Sequence, residues 1–164
     1  MGQIEAAMQK NLSVALDVWR NLSEKDRQLA EKIMGTIVAL KTQLEKIAAE
    51  RGHSQACKES IATCRGVCCK WHFPNDLKPI DLFLALRGMP AESQRNLSNL
   101  IAQNQKHQCP VLQNEGCFFS FEQRPVSCTN AYPCFNDHAY WAKKEAANAL
   151  FKKAFADLAG VIHL

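Results

Sequence analysis

No stretch of about 18 apolar residues in this chain is free of charge, so no membrane-spanning helix is expected. A signal peptide is not expected either. Glu5, Lys10 and Asp17 interrupt what should be an unbroken apolar segment, and no cleavage site follows. No run of Lys and Arg is interleaved with aromatic residues, which removes the usual footprint of a nucleic-acid binder. There is no G-x-S-x-G elbow, no Gly-rich phosphate loop and no histidine pair at helical spacing with an acid between. Hydrolytic and nucleotide chemistry therefore have no visible carrier, and no catalytic residue can be named. A C-x-x-C pair is absent as well, which excludes a zinc ribbon. Internal repeats and low-complexity tracts are missing.

What remains is ordinary in bulk and unusual in one residue type. The chain has 164 residues, 47% hydrophobic and 22% charged, enough for a single domain with a real core. Its formal charge of +4 assumes neutral thiols. Eight thiolates would subtract eight charges and two divalent ions would restore four, which brings the sum to zero. Mild basicity is thus no argument for an acidic partner.

The unusual residue is cysteine. All eight cysteines lie in two blocks, Cys57, Cys64, Cys68 and Cys69 in the first and Cys109, Cys117, Cys128 and Cys134 in the second. Eight in 164 residues falls short of the roughly 8–10% of disulfide scaffolds. Without a leader, the chain is expected in the reducing cytoplasm, where clustered thiols serve metals or redox chemistry more often than disulfides. Thiolates are soft donors that suit zinc, copper(I) and iron–sulfur clusters. Zinc takes four donors in a tetrahedron, and a [4Fe–4S] cluster takes four cysteines. All eight cysteines are therefore candidate metal ligands, enough for two four-thiolate sites or for one site and a reactive remainder. Cys57, Cys64 and Cys68, spaced by seven and then four residues, would share one face of a helix. Cys68 and Cys69, being adjacent, diverge and rarely hold one ion together.

The pattern around the blocks is helical. Ile4, Met8, Leu12, Ala15, Leu16 and Trp19 form one apolar stripe, which predicts a helix over 3–20. Ser23 and Asp26 suit the start of a second, from Glu24 to about Arg51, with Gly52 as its stop. Its stripe is Leu29, Ile33, Ile37, Leu40, Leu44 and Ile47, and Gly35 within it hints at close packing. The two are expected to pack as an antiparallel hairpin, a structural support or a homodimer surface. Short helices are predicted from Pro79 to Arg87 and from Pro90 to about Lys106, the latter with Leu97, Leu100 and Ile101 inside. Cys109–Leu112 and Cys117–Phe121 read as two strands turning through Asn114-Glu115-Gly116. Pro125 should open a turn of helix carrying Cys128. A last helix runs from Asp137, its cap, to Leu158, with Trp141, Ala142, Ala149, Leu150, Ala154 and Leu158 as its stripe.

Several residues have two readings. Arg124 can hydrogen-bond thiolates or cap a nearby turn. His72, His107 and His138 flank cysteines, yet cysteines already outnumber the donors one ion needs. His53 and His163 are expected to be exposed or packing groups. Trp71 and Phe73 are expected in the core, and Phe118, Phe119 and Phe121 under the hairpin.

Cys109-Pro-x-Leu, Gly116-Cys117, Arg124-Pro125-x-x-Cys128 and Tyr132-Pro133-Cys134, after an upstream Cys68-Cys69, resemble the YkgJ-like cysteine-cluster family. That family is described as a zinc- or iron-chelating domain of bacterial proteins. The resemblance covers residues 57–134 and implies that Cys64, Cys68, Cys69, Cys109, Cys117 and Cys128 are the shared metal-site cysteines. The first block departs from the family's C-x-x-C-x-x-C-C pattern, which leaves the role of Cys57 open. Some relatives methylate lysines of flagellin, but no methyl-donor pocket is legible here.

The expectation is a mainly α fold: a helical bundle with a small β-hairpin around a cysteine-rich metal centre. Residues 1–52 would form the helical hairpin, 53–136 the metal-binding core and 137–164 the C-terminal helix of a single domain. Function is expected to be chelation of zinc or iron, for the protein's own stability or for transfer to a protein partner. An iron–sulfur enzyme or electron-transfer subunit, and a cytosolic thiol redox sensor, are the alternatives.

Overall fold

Apolar residues recurring at three- and four-residue steps wind most of the chain into helices, and the few glycines and prolines mark where they stop. The computed structural model describes residues 3–64, 77–103, 109–113, 116–130, 132 and 134–164. Its elements are α1 (Gln3–Asn21), α2 (Glu24–Glu50), α3 (His53–Cys64), α4 (Pro79–Ala85), α5 (Ala91–Gln103), β1 (Leu112–Gln113), β2 (Gly116–Cys117), a 3-10 turn (Val126–Cys128) and α6 (His138–Ile162). The protein is mainly helical, as its periodicity predicts, with one two-stranded hairpin. No described helix is long and apolar enough to cross a membrane.

The chain forms two compact units, each discontinuous in sequence: Met1–Ser23 with Gly66–Cys128, and Glu24–Arg65 with Thr129–Leu164. In the first, α1 buries Met8, Leu12, Ala15 and Leu16 and packs on α4 and α5. Helix α4 answers with Leu82, Phe83, Leu84 and Ala85, and α5 with Leu97 and Ile101. Trp19 lies 5.1 Å from Phe83 between ring centres, and Asn11 Nδ2 donates to the Leu77 carbonyl at 2.8 Å. Asp81 holds the start of α4, its Oδ2 accepting from the Lys78 amide at 2.9 Å. Burial raises the Asp81 carboxyl above its usual range, against the pull of that bond.

In the second unit α2 packs on α6 and α3. Ala30, Met34, Ile37, Leu44 and Ala48 of α2, and Tyr140, Phe151, Ala154, Leu158 and Ile162 of α6, are its buried apolar residues. Within their own units, α1 packs on α4 and α5, and α2 on α6 and α3.

Three expectations change. Leu29 of α2 and Leu150 of α6 are 45% and 54% exposed. The buried line of α6 passes through Tyr140, Phe151 and Ala154, so Ala142, Ala149 and Leu150 face outward. At Gly35 a Cβ would meet nothing within 4 Å, so no close approach requires glycine there. Gly52 and Gly88, by contrast, sit at φ +76° and +65°, which glycine adopts without strain, and they end α2 and the α4 segment.

The strands are shorter than the pattern predicts. Leu112 pairs with Cys117 and Gln113 with Gly116. Pro110 has no amide to donate, and the Cys109 carbonyl accepts from Leu112 N at 3.0 Å, closing a turn where strand was expected. Beyond Cys117 the Ser120 carbonyl accepts from Gln123 N at 3.1 Å, which turns the chain again.

Candidate metal centre

The first unit carries Cys109, Cys117 and Cys128 on a short run of turns, and none of them is in a disulfide. Cys109 is buried, 8% exposed, at the head of the proline turn. Cys117 ends β2 opposite Leu112, and the next amide, Phe118 N, donates to the Val111 carbonyl at 2.8 Å. The hairpin thus brings the Cys109 and Cys117 segments side by side, as expected. Pro125 precedes the predicted turn of helix, and Cys128 N donates to its carbonyl at 2.9 Å. Cys117 and Cys128 are each half-buried. Phe119, 1% exposed, packs edge-on to Phe118 with ring centres 6.0 Å apart, which anchors the hairpin. Arg124 Nε donates to the Phe119 carbonyl at 3.1 Å, which is the turn-capping bond its position allowed.

The second unit carries Cys57 and Cys134, both exposed. Helix α3 runs unbroken from His53 to Cys64. Residues seven apart on such a helix are about 10.5 Å apart along the axis. Two sulfurs on one zinc lie within about 4.6 Å of each other at most. Along the axis of α3 the Cys57 and Cys64 positions are therefore farther apart than two sulfurs on one zinc. The Cys64 side chain, Cys68, Cys69, His72 and His107 lie outside the described residues. Among the described residues no three His, Cys, Asp or Glu side chains are gathered as an ion requires.

Sequence reasoning missed the polar network that holds the Cys134 segment in this second unit. Asp137 caps α6, its Oδ1 accepting from Ala139 N and Tyr140 N at 3.1 Å each. The same carboxylate accepts from Arg51 through both Nε and Nη2, and faces His53 Nε2 at 2.8 Å. The Arg51 hydrogen bond, ahead of every other influence, holds the Asp137 carboxyl well below the usual carboxylate range. His53, 7% exposed, stacks on Phe135 with ring centres 4.7 Å apart and meets Tyr140 edge-on at 5.3 Å. Its role is packing.

Beside this cluster, Glu45 on α2 gathers three donors. Its carboxylate accepts from Tyr132 OH at 2.8 and 2.9 Å, from Ser54 Oγ at 2.7 Å and from Asn130 Nδ2 at 3.0 Å. Tyr140 OH and Lys144 Nζ both donate to the Asn130 carbonyl, at 2.8 and 2.9 Å. Asn130 itself sits at φ +54°, a conformation asparagine tolerates better than most residues. Burial raises the Tyr132 and Tyr140 hydroxyls above their usual range and lowers the Lys144 ammonium below its own. The one available signal was Asp137 as a helix cap. Glu45 meets residues 85 and 87 positions away, which no local pattern announces.

In the comparisons with known proteins, no family model, no curated protein and no solved structure matches this chain.

Proposed function

We propose that this protein chelates zinc or iron through clustered cysteine thiolates, in the way its resemblance to the YkgJ-like cysteine-cluster family implies. The supporting observation is the segment from Cys109 to Cys128. Three cysteines outside any disulfide stand on one short run of tight turns, and among its described residues the regular structure amounts to two strands of two residues and a single 3-10 turn. Such a segment has little hydrogen-bonded structure of its own, and an ion bound across it would add to folding free energy directly. The sequence range of the same unit also includes Cys68 and Cys69, so its five cysteines are enough in number for one four-thiolate site. Soft donors of this kind suit zinc or iron and fit a closed, structural site better than an open catalytic one. Cysteines outside disulfides in this number belong in a reducing compartment, which favours the cytoplasm.

The test is elemental analysis with a visible spectrum on protein purified without oxygen. Stoichiometric zinc or iron is expected, lost when Cys117→Ser and Cys128→Ser are combined. A brown protein with broad visible absorbance would assign the iron to a cluster. Metal-free protein whose cysteines all react with an alkylating reagent would overturn the proposal.

A further inference from the structure

Cys57 is separated from Cys64 by two turns of an unbroken helix, about 10.5 Å along its axis. The remaining cysteine in the sequence ranges of its unit is Cys134. Two contacts hold their segments together. His53, one turn before Cys57 and on the same helical face, stacks on Phe135, the residue after Cys134. Ser54 Oγ lies 3.1 Å from the hydroxyl of Tyr132, two residues before Cys134. Both thiols are exposed. Two donors do not complete the tetrahedron that zinc wants, whereas exposure beside a second thiol is what a reversible oxidation site needs.

We infer that Cys57 and Cys134 form a redox dithiol, closed to a disulfide by peroxide. One thiolate attacks the O–O bond of hydrogen peroxide, giving a sulfenic acid and releasing hydroxide that protonates to water. The other thiolate attacks the sulfenic sulfur. The S–S bond forms and a second hydroxide leaves, also as water. Two thiols and one peroxide thus give one disulfide and two waters, with sulfur oxidised and peroxide oxygen reduced. A disulfide needs the two Cα atoms within about 7 Å, and the contacts of His53 and Ser54, both within one turn before Cys57, with residues on either side of Cys134 draw the two segments together. Closure would tie α3 to the segment before α6, on which Glu45, Tyr132 and Asp137 converge.

The experiment treats the reduced full-length protein with one equivalent of hydrogen peroxide, blocks remaining thiols with N-ethylmaleimide and maps the digest by mass spectrometry. A peptide joining Cys57 to Cys134 is expected, cleaved again by dithiothreitol. It should be absent from Cys57→Ser and from Cys134→Ser, while metal content in both variants matches the parent. Recovery of both cysteines alkylated after peroxide, or a bridge from either one to another cysteine, would overturn the inference. The metal reading fails separately: a metal-free parent that still forms the bridge sinks that reading and keeps this one.

Discussion

The two cysteine-bearing segments are held in opposite ways. Around Cys134 the chain is fastened by Glu45 and Asp137, two carboxylates that accept from Tyr132, Ser54, Asn130, Arg51 and backbone amides. The rings of His53, Tyr132, Phe135 and Tyr140 pack among these bonds. From Cys109 to Cys128 most ties are local, a proline turn, a hairpin of two-residue strands, a 3-10 turn and the buried Phe119, with Gln123 donating to the Arg87 carbonyl at 3.4 Å and Glu122 3.7 Å from the Arg87 guanidinium as ties beyond it. One segment is anchored to long helices by contacts across more than 80 residues of sequence, and the other is folded mostly on itself. The difference teaches where an ion would matter. A loop already pinned by charged hydrogen bonds gains little from a metal, whereas a run of turns gains most of its rigidity from one.

The sharpest way to break this contrast is to strip the metal that the proposed function assigns to the protein. With a strong chelator, amide exchange between Cys109 and Cys128 should rise by orders of magnitude, while α2 and α6 keep their protection. Equal loss of protection in both segments, or none in either, would remove the distinction. Next in size is Tyr132→Phe, which keeps the ring and deletes the hydroxyl shared by Glu45 and Ser54. It should cost about 1 kcal/mol in denaturant unfolding, because the part-buried Glu45 carboxylate loses a donor, and should leave metal content unchanged. Gly35→Ala works in the other direction. With open space at the added Cβ, it should stabilise α2 by about 0.5–1 kcal/mol, and a lower melting temperature would show that something packs there after all.

The smallest effect concerns acid. Asp137 is held below the usual carboxylate range chiefly by Arg51, with the amide of Tyr140 and His53 adding to it. A depressed carboxylate contributes stability that is complete above about pH 5 and is lost as pH falls through its unfolded value near 4 and on toward its folded one. Asp137→Asn should therefore lower the melting temperature at neutral pH and flatten its fall between about pH 4 and pH 2. Parallel acid profiles for parent and variant would show that the Arg51 pair is not felt.

Much of the helical framework was legible because it rests on short-range facts. The three- and four-residue spacing of Met8, Leu12 and Leu16, the positive φ at Gly52 and the cap at Asp137 each depend on neighbours within one or two turns. The same holds for Pro125 opening the turn that carries Cys128. Where the reading went astray, the decision lay between elements. Leu150 fits an apolar stripe as well as Phe151 does, and only the partner helix chooses between them. Strand length around Cys109 and Cys117 failed because an alternating pattern does not register that Pro110 lacks a donor.

By itself, then, the sequence determined that this is a helical protein with eight cysteines in two blocks, since helix periodicity and thiol chemistry are properties of the residues alone. Tertiary structure decided which helix each helix meets and that Glu45 and Asp137 take hold of the Cys134 segment. Those outcomes depend on distances between residues remote in the chain, and such distances are set by how apolar faces pack in three dimensions, a quantity that no local run of amino acids encodes.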